Sequence, residues 1–189
     1  MAKKKDKRAD RIRKLFNAVN DSRRQDWETI NQEGHDFYLD NQISQEDVEA
    51  LRDQGMPTFT VNRIIPVVEM LNYYATSNTP RWQAVGTEAS DTDVAAVFSD
   101  VADYIWNLSE CQTLYSNVIN DSITKSLGFL QVTVDPNADN GMGEVIIQQP
   151  DPFDVYIDPK SRDPLFKDAS FIMIRKVLPK AKLFKLNPE

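Results

Sequence analysis

FYLDNQISQEDVEALRDQGMPTFTVN, residues Phe37–Asn62, and PDPFDVYIDPKSRDP, residues Pro150–Pro164, decide the fold between them. In the first, Ser44 followed by Glu46 and Asp47 predicts a short helix with acids in its first turn, where they favour the helix dipole. Gly55-Met56-Pro57 stops that helix. Thr60-Val61-Asn62 starts the next one, and Pro66 falls early enough to be tolerated, because the first backbone N–H groups of a helix have no intrahelical partner. In the second stretch, Asp-Pro pairs flank Val155-Tyr156-Ile157, so a short strand between turns is expected there.

The pattern extends outward from both. Upstream, Ile12, Leu15, Phe16, Val19, Trp27, Ile30, Phe37 and Tyr38 recur at helical spacing over 9–40, with Gly34 expected to loosen the helix. The run Ile64, Ile65, Val67, Val68, Met70, Leu71, Tyr74 is apolar almost all round, and predicts a helix buried on most sides. Trp82, Ala84 and Val85 alternate as a short strand. Asp91 is placed to cap a helix through Val94, Val97, Phe98, Val101, Ala102, Ile105 and Leu108. Leu114, Val118, Ile119, Ile123 and Leu127 repeat the period in another helix, closed by Gly128.

The period then switches to two. Leu130, Val132 and Val134 face one way and Gln131 and Thr133 the other, 136–143 is a loop, and Val145-Ile146-Ile147-Gln148 returns as the second strand of a hairpin. Phe171-Ile172-Met173-Ile174 predicts a further strand. Helices come first and strands follow, which is the α+β class. The expected core is Ile64, Ile65, Val68, Leu71, Val97, Phe98, Val101, Ile105, Leu114, Val118, Ile123 and Val132. Residues 180–189 have the look of a new helix cut short.

In this order, these motifs resemble the N-terminal part of the portal proteins of tailed bacteriophages, especially of short-tailed phages. That family has a polar helix ending in a Phe-Tyr-x-Gly-x-Gln-like sequence, matched here by Phe37, Tyr38 and Gln42. It has a Pro-x-Thr-x-Asn entry into an apolar helix, here Met56-Pro57-Thr58-Phe59-Thr60-Val61-Asn62, and a later Asp-Pro segment, here Asp151–Pro159. Asp40 stands where the family often has Gly, and Ile43 where an aromatic is common. The resemblance covers roughly residues 25–178. It implies the wing region of a portal, with 1–24 as a basic N-terminal arm and 179–189 leading towards a stem and clip. It also implies a closed, dodecameric homo-oligomeric ring at the portal vertex of the virion, assembled in the host cytoplasm. The ring would be the conduit for genome packaging and ejection. Its partners would be the major capsid protein, the terminase, head-tail adaptor or tail proteins, and viral double-stranded DNA, with no membrane.

Composition agrees with a soluble globular class, at 41% hydrophobic and 27% charged residues. No run of about 18 apolar residues exists to span a bilayer. The basic N-terminus is not followed by the apolar stretch of a secretory signal. One cysteine, Cys111, excludes an internal disulfide and fits a reducing compartment.

Charge is segregated. Residues 1–24 hold ten Lys/Arg and three Asp, a balance of +7, while the remainder holds twelve basic and 26 acidic residues, −14, together the net −7. The residues expected to contact nucleic acid or an acidic partner are Lys3, Lys4, Lys5, Lys7, Arg8, Arg11, Arg13 and Lys14. The alternative for this arm is a solvated, partly helical tail.

Catalytic chemistry has little to work with. There is one His and one Cys, and a buried thiol at Cys111 with a surface imidazole at His35 is the plainer reading than a dyad. No phosphate loop, HExxH or CxxC occurs, which excludes a packaging ATPase. Asp151, Asp154, Asp158, Asp163 and Asp168 invite a cation, but Asp-Pro turn formation accounts for them, so no metal, cofactor or catalytic residue is expected. Tyr73, Tyr74, Trp82 and Trp106 could stack on bases, yet they lie in apolar runs and read better as core or subunit contacts. Three functions follow: a structural portal subunit, a non-catalytic acidic adaptor docking nucleic acid or an acidic partner through its basic arm, and an enzyme with an unrecognised site.

Overall fold

The computed structural model describes residues 7–78, 80–88 and 91–179. Six helices come first: α1 Lys7–Val19, α2 Ser22–Tyr38, α3 Gln45–Asp53, α4 Ile64–Thr76, α5 Thr92–Leu108 and α6 Cys111–Thr124. Four strands follow: β1 Gln131–Asp135, β2 Glu144–Gln148, β3 Val155–Ile157 and β4 Ile172–Ile174. The class is α+β, as the order of periods predicts. The tail expected to start a helix at 180 lies outside the described residues. The chain divides into two units, Met1–Thr29 with Phe153–Glu189, and Ile30–Pro152.

The first unit is built on β3 and β4, antiparallel with Val155 opposite Ile174, Tyr156 opposite Met173 and Ile157 opposite Ile172. The Arg175 N–H donates to the Asp154 carbonyl at 2.8 Å and carries the ladder one step further. Val19, Val155 and Tyr156 are buried, and the Phe16 ring sits 4.8 Å from that of Tyr156. Phe16 and Val19 therefore anchor α1, although both fall within the segment set apart by its charge. The helix expected over 9–40 is two helices. It breaks at Asn20-Asp21, where the Asp21 carboxylate accepts the Arg24 N–H at 3.0 Å and satisfies an early donor of α2. Gly34 does not loosen it, and α2 runs through to Tyr38. One glycine costs a helix only about 1 kcal/mol against alanine.

The second unit is organised by Asn62. Its side-chain N–H2 donates to the Phe37 and Tyr38 carbonyls, both at 3.1 Å, and its oxygen accepts from the Ile64 and Ile65 N–H groups at 2.9 and 3.2 Å. One side chain thus bonds carbonyls at the end of α2 and early donors at the start of α4. Between them α3 is capped by Ser44, whose hydroxyl accepts the Asp47 N–H at 3.1 Å, as expected. Asp40, in place of the family's glycine, has φ of 69°, the left-handed conformation a glycine adopts freely. Asp91 sits at the N-cap of α5, but its side chain makes no capping bond. α6 ends at Thr124 and the left-handed residue after it is Ser126, not Gly128. Gly128 instead permits a close approach. A Cβ there would lie 2.3 Å from the Val118 carbonyl oxygen, so only glycine lets this segment cross α6.

The expected core is the main correction. Of its twelve residues only Val68 is buried; Ile105, Leu114 and Val118 are half-buried, and the other eight are exposed. Val101, at the centre of the expected α5 face, is 47% exposed. Helical period identifies residues that share a face but not which face the chain itself covers. α4 packs through Val68, Asn72 and Thr76, and Asn72 donates to the Ser116 hydroxyl of α6 at 3.1 Å. Its other sides are open, contrary to the expectation of burial nearly all round. α5 turns Ala95, Ser99, Ala102 and Trp106 inward, leaving its apolar stripe outside.

The hairpin forms in the expected place, with Val132 opposite Ile147 and Val134 opposite Val145. Its sense is reversed: Val132 and Val134 are exposed while Gln131 and Thr133 are half-buried. The segment through Trp82, Ala84 and Val85 is not a strand. Its Ala84 N–H donates to the Ser99 hydroxyl at 3.0 Å, a helix side chain in place of a ladder partner.

Candidate functional site

Three kinds of surface carry functional potential. The first is basic. Lys7, Arg8, Arg11, Arg13 and Lys14 lie on α1 and all are exposed. Lys7, Arg11 and Lys14 fall at i, i+4 and i+7, so they form one stripe on the side away from Leu15, Phe16 and Val19. Arg13 reaches Asp10 at 3.5 Å, an exposed pair of little energetic weight. Lys3, Lys4 and Lys5 lie outside the described residues. Arg24, counted by charge with this segment, is instead part of the first unit's interior. Its guanidinium lies 4.4 Å from the Trp27 ring centroid and 4.6 Å from that of Tyr156. It donates to Glu28 at 2.7 Å and to the Phe153 carbonyl at 2.9 Å. A planar, weakly hydrated guanidinium suits such a site. The only hint in the sequence was its i, i+4 spacing from Glu28.

The second surface is apolar and belongs to the second unit. The outer side of α4 exposes Val67, Met70, Leu71, Tyr73 and Tyr74, and α5 exposes Val94, Val97, Phe98, Val101 and Tyr104. Trp82, Tyr73 and Tyr74 are exposed, which removes the core role considered for them, and Trp106 is half-buried. Neither α4 nor α5 carries a Lys or Arg among these rings that would favour a nucleic-acid backbone.

The third is polar. Lys125 is buried and its ammonium lies 3.0 Å from Asp121 and 3.3 Å from Asp151. Burial works against the charged lysine, but the two carboxylates outweigh it and its pKa is raised. Gln149 donates to Asp121 at 2.5 Å, and Asn120 donates to the Tyr38 hydroxyl at 3.2 Å. His35 borders this cluster with its Nδ1 buried and lacking a hydrogen-bond partner. Cys111 is the first residue of α6, at the end opposite the one His35 borders, and burial pushes its thiol pKa up, away from the nucleophilic thiolate. The two are not brought together into a dyad.

The aspartates after Pro150 act as turn formers. Asp158 accepts the Lys160 and Ser170 N–H groups at 3.0 and 3.2 Å, and the first of these bonds leads in holding its pKa down. Asp168 accepts the Ser161 hydroxyl at 2.5 Å and the Arg162 N–H at 2.7 Å, and is likewise held low. Asp154 receives Arg175 Nε at 2.8 Å. Among the described residues no group of three or more His, Cys, Asp or Glu is placed to hold a metal ion. No helix among them is long and apolar enough to cross a membrane.

A helical and hairpin scaffold that leaves apolar faces outside, with its Asp154, Asp158 and Asp168 carboxylates tied into turns and an ion pair, is of the class of structural assembly proteins. The family model of phage P22-like portal proteins matches residues 13–189, and the chain belongs to that family. A search of curated proteins found no match. The family is structural and non-catalytic, and its members form homo-oligomeric rings at a capsid vertex.

Proposed function

We propose that this chain builds the wing of a portal ring through which double-stranded DNA enters the head during packaging and leaves at ejection. In this reading residues 25–178 are the wing and 1–24 the basic arm. The ring docks the terminase during packaging and the adaptor or tail proteins afterwards, and it sits within the major capsid protein shell. The supporting observation is the pair of open apolar helix faces on α4 and α5 in a chain of the portal family. Exposed apolar area of this extent marks a contact surface. The mechanism is geometric and electrostatic. An acidic body does not grip a passing duplex, because each Lys–phosphate contact would add affinity.

Lys3, Lys4, Lys5, Lys7, Arg8, Arg11, Arg13 and Lys14 are the surface for a polyanion, either DNA phosphate or an acidic protein. The ring itself is tested by sedimentation and native mass spectrometry of the full-length protein. Closed oligomers of one stoichiometry are expected, and a protein that stays monomeric at every concentration overturns the reading. Binding through the basic residues should weaken steeply between about 50 and 200 mM salt, as counterion release requires. Binding indifferent to salt removes the electrostatic role.

A further inference from the structure

A ring whose subunits meet head to tail needs two different complementary faces on each copy, whereas a two-fold contact uses one face twice. The second unit has two. α6 packs against both α4 and α5, while α4 and α5 make no comparable contact with each other, so neither covers the other's outer side. The outer row of α4 starts at its N-cap residue Arg63 and continues through Val67, Met70 and Tyr74, at i, i+4, i+7 and i+11, opposite the buried Val68 and Asn72. On α5 the outer stripe is Val94, Val97, Phe98, Val101 and Tyr104.

The areas fit a subunit contact. Tyr73 and Tyr74 are 69% and 67% exposed on α4, and Phe98 and Tyr104 are 64% and 57% exposed on α5. With about 200 Å² for an aromatic and about 100 Å² for an aliphatic side chain, the α5 stripe leaves roughly 400 Å² of apolar surface open, and the α4 row does so together with Leu71 and Tyr73 on its two flanks. Joined, they would remove about 800 Å² of apolar surface from water. A standard interface of roughly 1,600 Å², a little over half apolar, needs about that much.

The charges match as well. The stripe of α5 is edged on one side by Asp93 and Asp100, and α5 has no basic residue. The outer row of α4 has no acid, its only acid being Glu69, which accepts the Tyr38 hydroxyl at 2.8 Å, and the row begins with the exposed Arg63. An acid-edged stripe against a row that begins with arginine favours α4 on α5 over like on like, since two α5 stripes would bring four aspartates together.

We infer that the outer row of α4 in one copy packs on the outer stripe of α5 in the next, as the heterologous contact of the ring. The inference rests on the portal reading above. It is tested in the full-length protein with Met70→Glu on one face and Val101→Glu on the other, using sedimentation velocity at a concentration where the unaltered protein forms rings. Each variant alone should be monomeric, with assembly requiring at least tenfold more protein. Mixed in equal amounts they should form dimers and go no further, because one intact α4 row meets one intact α5 stripe. If Val101→Glu alone dimerises, α4 pairs with α4, and if Met70→Glu alone dimerises, α5 pairs with α5; either overturns the head-to-tail contact. If both still form rings, another segment or partner covers these faces and the inference falls, while the portal reading stands. If the unaltered protein forms no ring, the portal reading itself falls. Far-UV circular dichroism checks folding, and Val67→Ser with Val97→Ser repeats the test with milder changes should either glutamate variant lose helix.

Discussion

Arg24→Met separates the two descriptions of the N-terminal segment most cleanly. The Arg24 side chain is 12% exposed, hydrogen-bonds Glu28 and the Phe153 carbonyl among its contacts, and lies against the Trp27 and Tyr156 rings. Methionine preserves most of the stem and its packing, so the loss is of charge and donors. The bond to the Phe153 carbonyl, and the two cation–π contacts at about 0.5–1 kcal/mol each, set the size of the effect. Glu28 is partly exposed and can return to water, which discounts that pair. The total is about 3 kcal/mol, or a fall of roughly 6–12 °C in midpoint for a chain of this length. Thermal unfolding followed by circular dichroism at 222 nm measures it. Arg13→Met, at an exposed pair, should change the midpoint by no more than about 1–2 °C. If Arg24→Met were as silent as Arg13→Met, Arg24 would belong to a solvated basic tail and the packing of α1 and α2 on β3 would be wrong.

Gly128→Ala should cost about 2–3 kcal/mol, because its Cβ would sit 2.3 Å from a backbone oxygen of α6 that cannot rotate away; denaturant midpoints read this, and a neutral result would mean the crossing is looser than described. Asn62→Ala should cost about 2 kcal/mol by removing its bonds to the Phe37 and Tyr38 carbonyls and leaving two N–H groups without their acceptor, and amide exchange at Ile64 and Ile65 should rise with it. The loop between β3 and β4 should loosen in acid. Asp158 and Asp168 both have pKa values lowered by the bonds they accept, so their stabilisation is present above the ordinary aspartate range and is lost as pH falls through the folded values. Faster exchange of the Arg162 and Ser170 amides below about pH 4 would show it, and unchanged protection down to about pH 2 would refute it. Removing residues 2–14 should leave β3 and β4 folded, since Phe16, Val19 and Arg24 remain, and should abolish salt-dependent binding to polyanions.

Much of the fold can be read from local sequence. Ser44 with its acids, the stop at Gly55, the change of period from 3.6 to 2 after Gly128, and the Asp-Pro turns around Val155-Tyr156-Ile157 each act within a few residues. The order of these elements also carried the family resemblance. Tertiary structure decided what depends on residues far apart in the chain. It placed Arg24 between Trp27 and Tyr156, gave Gly128 its crossing over Val118, and used Asn62 to join the end of α2 to the start of α4. It also decided which apolar face went inside. Period defines a face in a helix or strand equally well whether that face meets its own chain or another molecule. In α5 and the hairpin the small or polar residues Ala95, Ser99, Gln131 and Thr133 face inward, and the apolar stripes stay exposed. Burial is a property of what lies opposite, and for a subunit of a ring part of that lies on the neighbouring copy.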